Sequence, residues 1–275
     1  MTRIFLHIGL IKTATTFLQS HIFNNLNDVN YVDRNANLNS KNIISEKGIY
    51  LISNEGISGN PFNSKQEMNY YQQFTCAIER IKEIYSNPKI ICCFREPSSF
   101  IQSTYKQYLH EGGTLSFNQY FKLEGDCMVK PSDFLFSRFL NFLQESFKPE
   151  QVFAYNFGDF LSDKESLIKR LLEFIGTENS VDQLNLTATK KSNPSVPYHL
   201  EGTLIKANKI SKKFSKMTGR PLRIRLFGKV LNGRVIVQYI LPKIIKGKSK
   251  RDISKIQEYY ANDWDLCLEM MKSKP

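Results

Sequence analysis

The N-terminal residues constrain the fold of this chain more than any other feature. Residues 3–8 read RIFLHI, a short apolar run that predicts a buried strand. Lys12 and three threonines follow, and apolar residues then recur at helical spacing from Phe17 to Phe23. A strand that enters a helix through such a loop presents backbone N–H groups, hydroxyls and one ammonium at the positive helix end. The pattern therefore predicts an anion site of the phosphate-binding kind.

This loop differs from the P-loop of nucleoside triphosphate enzymes. A Walker A sequence has glycine directly before its lysine. Here Gly9 lies three residues before Lys12, and Ile11 takes the place of the second glycine. An ATP or GTP hydrolase is therefore disfavoured. A purely structural interpretation stays open, in which Thr13 caps the helix and Lys12 is simply solvated.

A second strand-to-helix junction carries an arginine. Residues 89–94 form a near-continuous apolar run, typical of a central strand in a parallel sheet. Arg95 follows this strand, Pro97 suits the first position of a new helix, and Ser103 lies about two turns into it. A guanidinium and a hydroxyl so placed can converge on one phosphate group. A surface Arg–Glu pair with an exposed serine is the structural alternative.

Together the two motifs resemble those of sulfotransferases that use 3′-phosphoadenosine 5′-phosphosulfate (PAPS). In that family the 5′-phosphosulfate loop reads roughly H-I-G-x-x-K-T-G-T-T-x-L-Q and the 3′-phosphate motif reads R-[DE]-P-x(5)-S. This chain has HIGLIKTATTFLQ and REPSSFIQS in the same order. Ala14 replaces the usual glycine, so we expect a right-handed helical φ there. The resemblance implies that the 5′-phosphosulfate site is formed by Lys12, Thr13, Ala14, Thr15 and Thr16. It also implies that the 3′-phosphate site is formed by Arg95 and Ser103.

The chemistry that the resemblance implies needs a cation and a base. We expect Lys12 to neutralise the oxygen that leaves with adenosine 3′,5′-bisphosphate, while threonines and loop amides orient the donor. No metal is then required, because lysine and a helix terminus do the work that magnesium does in phosphoryl transfer. Glu55, at the end of a predicted strand, is our candidate base for the acceptor hydroxyl, as a glutamate often is in the family. Its structural alternative is a turn residue beside Gly56.

Two histidines are weaker candidates for the base. His7 lies inside the first strand, which favours a buried, hydrogen-bonded histidine. His110 ends the helix after Arg95 and suits a C-terminal capping cation, with a reserve role as base or acceptor contact.

Apolar strands alternate with helical stretches along the chain, which indicates an α/β fold with a parallel sheet. With the resemblance, we expect a P-loop-like parallel sheet with helices on both faces, in a single domain over 1–275. The interval 24–47 is rich in Asn and Ser and is interpreted as an irregular loop. Further segments, at 48–56, 151–160 and 191–195, resemble those of bacterial carbohydrate sulfotransferases. Helices are predicted over 66–85, 163–175 and 253–271.

Charge is concentrated in one segment. Residues 202–251 hold fifteen Lys and Arg and no Asp or Glu, although the whole chain has a net charge of only +12. Apolar residues are interleaved with these charges, a mixture suited to an anionic membrane surface or to an acidic glycan or glycolipid. We treat the segment as a basic, apolar insertion or subdomain. A solvated basic face is the plain alternative, and no nucleic acid is expected because no recognition motif accompanies the charge.

Cysteines and hydropathy bear on the compartment. The five cysteines show no metal-ligand spacing, and adjacent Cys92 and Cys93 should point to opposite faces of a strand. Buried thiols are typical of a reducing compartment. The predicted strand begins almost at residue 1, so we expect no leader peptide, and no apolar run reaches the roughly 18 residues of a spanning helix. We expect a cytoplasmic protein, and the basic segment allows peripheral attachment to the inner face of the membrane.

The sequence thus predicts a PAPS-dependent sulfotransferase that acts on a hydroxyl of a cell-surface saccharide or glycolipid. A P-loop nucleotide kinase and a non-enzymatic membrane- or anion-binding protein are the alternatives.

Overall fold

The main sheet has five strands, all parallel, in the order β2-β3-β1-β4-β5. A computed structural model of the chain describes residues 2–32, 46–62, 68–187, 196–220, 222, 224–226, 229–231, 235–248 and 251–272. The strands are β1 (Arg3–His7), β2 (Val29–Val32), β3 (Ile49–Ser53), β4 (Lys89–Phe94) and β5 (Val152–Asn156).

Helices follow or separate these strands. The short helix α1 continues as a π-helical segment, Leu18–Ile22, and a 3₁₀ turn, Phe23–Asn25. The helices are α1 (Thr15–Phe17), α2 (Tyr70–Ile84), α3 (Pro97–His110), α4 (Phe117–Tyr120), α5 (Phe136–Ser146), α6 (Phe157–Ser162), α7 (Lys164–Ile175), α8 (Glu201–Thr218), α9 (Leu241–Ile244) and α10 (Ser254–Lys272).

Helices cover both faces of the sheet, which confirms the predicted fold class. On one face Cys93 joins a core that also includes Leu18 and Leu171. On the other face the Phe94 ring lies 6.0 Å from that of Phe136 in α5. Adjacent strand residues point to opposite faces of the sheet. Because helices cover both faces, β4 is buried over nearly its whole length.

Several helix boundaries follow local capping signals. Pro97 is the first residue of α3, as predicted. Asp163 accepts from the Ser166 backbone N–H and begins α7, which ends at Gly176 with φ 68°. A capping box between Asn69 and Gln72 begins α2 later than the predicted residue 66.

The interpretation of 24–47 as an irregular loop was wrong in one part. Val29–Val32 forms β2 and pairs in parallel with β3. This strand lies at the sheet edge and buries Val29 but not Asn30, so its apolar signal is short. Residues 33–45, and the family-like stretch 191–195, lie outside the described residues.

The chain divides into two compact units. The first contains the parallel sheet, and the second contains α8 and a two-stranded antiparallel sheet, β6 (Ile224–Leu226) and β7 (Lys229–Leu231). The expectation of a single domain over 1–275, with an insertion at about 202–251, stays a prediction. None of the described helices is both long and apolar enough to span a membrane. The first unit comprises residues 1–100, 132–190 and 259–275, and the second comprises 101–131 and 191–258.

The second unit holds one basic side chain in an internal ion pair. The Arg251 Nη2 donates to Glu201 Oε2 at 2.5 Å, and its guanidinium lies over the rings of Phe117 and Tyr198 at 4.1 Å and 4.6 Å. Arg251 therefore belongs to the packing of this unit, unlike the exposed lysines of the basic segment.

Candidate active site

Three of the predicted site residues follow three neighbouring strands. Lys12, Glu55 and Arg95 come after β1, β3 and β4, and β1 lies between the other two. Because the strands are parallel, their carboxyl ends meet at one edge of the sheet, where open α/β sheets bind ligands. The strands that precede the two motifs, β1 and β4, are direct neighbours in the sheet.

The loop after β1 leaves its backbone donors unused. Within the described part of the chain, no backbone N–H from Gly9 to Thr16 donates to a protein acceptor. Lys12 and Ala14 have left-handed backbones, with φ 65° and 61°, and Thr13 between them does not. Alternation of this kind turns successive N–H groups toward one concavity, the arrangement known as an anion-binding nest. The backbone of this loop therefore has the geometry of an anion-binding nest.

The expected right-handed φ at Ala14 was wrong. Ala14 is the N-cap of α1 with φ 61° and ψ 16°, a conformation that glycine adopts without steric cost and alanine does not. The loop therefore keeps the geometry suited to glycine at this position and holds alanine in it under strain, as occurs at functional sites.

Thr13 does not cap the helix, so that structural interpretation of the loop was wrong. Its hydroxyl donates to the Leu10 carbonyl and is fully buried. Thr15 is also buried, and its Oγ1 has no hydrogen-bond partner among the described residues. Lys12 and Thr16 are exposed. The loop therefore combines an accessible ammonium with one buried, unpaired hydroxyl.

His7 lies beneath the loop as a buried, hydrogen-bonded residue, as predicted. Its Nδ1 is 2.8 Å from Ser53 Oγ, and its Nε2 has no partner among the described residues. Burial lowers the pKa of His7 from 6.5 to about 3, so the ring is neutral at physiological pH. A Cβ on Gly9 would come within 3.0 Å of Nε2, which explains the glycine at this position.

Arg95 ties the end of β4 to the loop after β1. Its Nη1 donates to the Lys12 carbonyl at 3.0 Å and its Nε donates to Ser99 Oγ at 2.9 Å, while the guanidinium lies 4.8 Å from the Phe157 ring centre. Burial lowers the pKa of Arg95, but a guanidinium stays charged at neutral pH. Nη2 donates to no acceptor in the described ranges.

Ser103 and His110 lie on α3 beyond residue 100, in the second unit. Ser103 lies about two turns into α3, as expected from the sequence. Whether the two converge on one phosphate stays a prediction. His110 is the last residue of α3, where a C-terminal cation was expected.

Glu55 begins a 3₁₀ turn, Glu55–Ser58, directly after β3 and Asn54. The Asn54 side chain accepts from the Gly56 N–H at 2.9 Å and caps this turn. The Glu55 side chain is half-buried and makes no hydrogen bond or ion pair with the described residues. Its carboxylate is therefore available to a substrate.

Two residues of this region were missed from the sequence. Gln19 donates through Nε2 to Ser53 Oγ at 3.0 Å and so links the helix after the loop to the end of β3. Glu96 accepts from the N–H groups of Ser98 and Ser99 at 2.9 Å and 2.8 Å. The signals were the final glutamine of the first motif and the acidic residue before Pro97, which caps α3.

No group of three His, Cys, Asp or Glu that could hold a metal ion occurs in the described ranges. The expectation that the reaction needs no metal stays a prediction.

A sequence model described as the sulfotransferase family matches residues 52–182. Over these residues, the chain is similar to the sulfotransferase family. The resemblance to sulfotransferases is confirmed, and the match indicates a sulfotransferase enzyme rather than a nucleotide kinase or a non-enzymatic binding protein. The matched range includes Glu55 and Arg95 but begins after the loop at residues 9–16.

Solved structures of sulfotransferases show only a remote similarity to this chain. One from Alicyclobacillus acidocaldarius is 14% identical with a TM-score of 0.49, and covers 80% of this chain and 97% of its own. Mouse sulfotransferase SULT7A1, complexed with PAP, is 12% identical with a TM-score of 0.44, and covers 99% of this chain and 84% of its own. The sulfotransferase domain of the curacin biosynthetic pathway is 11% identical, with coverages of 96% and 98% and a TM-score of 0.45. No curated protein matches the chain.

Proposed function

We propose that this sulfotransferase moves a sulfuryl group from PAPS to a hydroxyl of a cell-surface saccharide or glycolipid. The observation that carries the proposal is the loop of residues 9–16. Its backbone N–H groups have no acceptor within the described chain, and it lies between the strands that lead to Glu55 and Arg95.

The 5′-phosphosulfate is assigned to this loop. Thr13 is buried and Ala14 has no polar side chain, so these two residues would contribute backbone N–H groups. Thr16 and Lys12 are exposed and would contribute side chains, and the unpaired hydroxyl of Thr15 fits an additional oxygen. An anion of more than one oxygen suits such a set of donors.

The 3′-phosphate is assigned to Arg95 and Ser103. The support for Arg95 is its unused Nη2 beside two hydrogen bonds that hold the rest of the guanidinium in place. The support for Ser103 is its position in the motif. By its bond to the Lys12 carbonyl, Arg95 would also link the two phosphate sites.

The roles of Lys12 and Glu55 follow from the charge that the reaction moves. A bond forms between sulfur and the acceptor oxygen, while the bond from sulfur to the 5′-phosphate oxygen breaks and leaves its electron pair on that oxygen. Lys12 would neutralise this oxygen as its charge grows. Glu55 would take the proton of the acceptor hydroxyl, whose own acidity is too weak at neutral pH.

The acceptor and the location are proposed on weaker support. A saccharide or glycolipid is favoured by the similarity of the β3 end and the β5 segment to bacterial carbohydrate sulfotransferases. We place the enzyme in the cytoplasm and, because residues 202–251 are strongly basic, at the inner face of the membrane. A glycolipid acceptor would be available at the same surface.

Calorimetric titration with adenosine 3′,5′-bisphosphate and with ATP tests the donor site. We expect the bisphosphate to bind at least about tenfold more tightly, because only it presents a phosphate to Arg95. Arg95→Met should remove this preference, whereas Arg170→Met, at an exposed position in α7, should leave it unchanged. Equal affinity for both nucleotides in the wild type would contradict the assignment.

The acceptor is tested with sulfur-labelled PAPS and bacterial envelope extracts. Label in the lipid-extractable or polysaccharide fraction is expected. Label confined to protein would contradict a saccharide or glycolipid acceptor.

A further inference from the structure

Helix α8 exposes a stripe of large apolar side chains. Ile210, Phe214 and Met217 are 61%, 38% and 75% exposed. Single exposed apolar residues are ordinary on protein surfaces. These three, however, are spaced at i, i+4 and i+7, so they lie side by side on the helix.

This stripe is separate from the face by which α8 packs. The buried residues of the helix are Glu201, Leu204 and Asn208. With about 100° of rotation per residue, they centre roughly 150° away from the stripe. Asn208 donates to the carbonyls of Leu109 and Gly113 at 2.9 Å and 2.7 Å, which fixes the packed face within the second unit. The stripe therefore faces away from the packing side.

The charge beside the stripe has one sign. The lysines of α8 all lie on the same side of the stripe, and the helix has no acidic residue after Glu201. All of them are exposed. Five basic residues next to an apolar stripe suit a partner whose surface is anionic and whose interior is apolar. The lysines are Lys206, Lys209, Lys212, Lys213 and Lys216.

We propose that the C-terminal half of α8 is the element that docks the enzyme on a bilayer of anionic lipid. Ile210, Phe214 and Met217 enter the boundary between headgroups and acyl chains, while the lysines contact the headgroups. This inference rests on the proposed location at the membrane, and it does not depend on the donor or the acceptor.

The docking surface is tested by sedimentation of the full chain with vesicles. Phosphatidylcholine vesicles are compared with vesicles that also contain phosphatidylglycerol. We expect binding only to the anionic vesicles, weakening as salt is added. Replacing Ile210, Phe214 and Met217 together by Ser should weaken binding by about a thousandfold, since each buried apolar side chain is worth roughly tenfold.

A matched variant controls for the general loss of apolar surface. Leu161 and Leu266 are 67% and 49% exposed and lie in the first unit. Replacing both by Ser should leave vesicle binding unchanged. Replacing Lys206, Lys209, Lys213 and Lys216 by Gln should weaken binding by about fivefold for each lysine and flatten the salt dependence.

Fluorescence gives a second readout of insertion. Trp264 is the only tryptophan, so Phe214→Trp combined with Trp264→Phe places one reporter in the stripe. Its emission should shift to the blue with anionic vesicles and be quenched by lipids brominated on their acyl chains. An unshifted emission with bound vesicles would overturn insertion of the stripe.

Three other results would overturn the proposal. The first is full vesicle binding by the Ser triple variant, which would leave only a solvated basic face. The second is a dimer in solution that the triple variant abolishes, which would make a second copy the occupant. The third is DNA binding with the same dependence on the stripe. Titration with adenosine 3′,5′-bisphosphate separates this inference from the proposed reaction, because the stripe variant should keep wild-type nucleotide affinity.

Discussion

The loops after β1 and β4 lie at the same edge of the sheet but differ in how their polar groups are paired. After β4, Glu96 caps α3 through two backbone N–H groups, and Arg95 donates to Ser99 and to the Lys12 carbonyl. After β1, the backbone N–H groups of residues 9–16 have no acceptor within the described chain.

This difference supports the proposal that the loop after β1 binds the donor and that the turn after β4 holds this loop in place. Unpaired donors and left-handed residues cost stability, so a fold keeps them where a ligand completes the pairing. The β4 turn holds itself together and, through Arg95, also holds one carbonyl of the β1 loop. The comparison predicts that changes in the β1 loop affect chemistry more than they affect stability.

Lys12→Met provides the largest test of this comparison. The substitution removes the ammonium but retains a long side chain, so kcat should fall by about 10³-fold. Affinity for adenosine 3′,5′-bisphosphate should fall much less, because the loop N–H groups remain. Transfer of labelled sulfate and calorimetry measure the two effects. Lys169→Met, at an exposed position in α7, is the control and should change neither.

Glu55→Gln tests whether the glutamate that follows β3 is the base that takes the proton of the acceptor hydroxyl. Asn54, not Glu55, caps the turn after β3, so the substitution should leave folding intact. We expect kcat to fall by about 10²-fold while affinity for the bisphosphate is unchanged. Transfer assays beside a Glu165→Gln control measure this. A wild-type kcat would show that another group takes the proton.

The buried His7 predicts a dependence of stability on pH. The unfolded chain protonates this ring below pH 6.5, whereas the folded chain keeps it neutral until pH is about 3. The unfolded state thus binds more protons in this window, so the free energy of unfolding falls as pH falls. Between pH 7 and pH 5 the loss from His7 should be about 2 kcal/mol.

Urea unfolding at both pH values measures this loss. His7→Asn retains a group that can pair with Ser53 and should reduce the pH dependence by that amount. His21→Asn is measured beside it as the control for replacing a histidine by asparagine. An unchanged slope in His7→Asn would assign the acid sensitivity to other groups.

Elements with strong local signals were predictable from the sequence. The apolar run at 89–94 has the same bounds as β4, Pro97 begins α3 as expected, and the helix predicted over 163–175 corresponds to α7. The edge strand β2 was missed because only Val29 of its four residues is fully buried, so burial left little trace in its sequence. Parallel pairing with β3, a tertiary interaction, makes it a strand.

The site was predictable in its residue types and not in its backbone. A lysine, an arginine and a glutamate after three apolar runs indicated the chemistry. The left-handed conformations of Lys12 and Ala14 were not predictable, because neither residue favours them. Tertiary contacts such as the bond from Arg95 to the Lys12 carbonyl hold that backbone, and sequence spacing does not reveal them.

Ala14→Gly should have the smallest effect and the clearest sign. Alanine at φ 61° carries steric strain that glycine lacks, while glycine costs more conformational entropy on folding. The strain is the larger of the two, so the free energy of unfolding should rise by about 0.5 kcal/mol. Ala77→Gly, in the interior of α2, should lower it by about 0.5–1 kcal/mol. Opposite signs in urea unfolding would confirm that the loop after β1 stores strain, and a loss of stability in both variants would show that it does not.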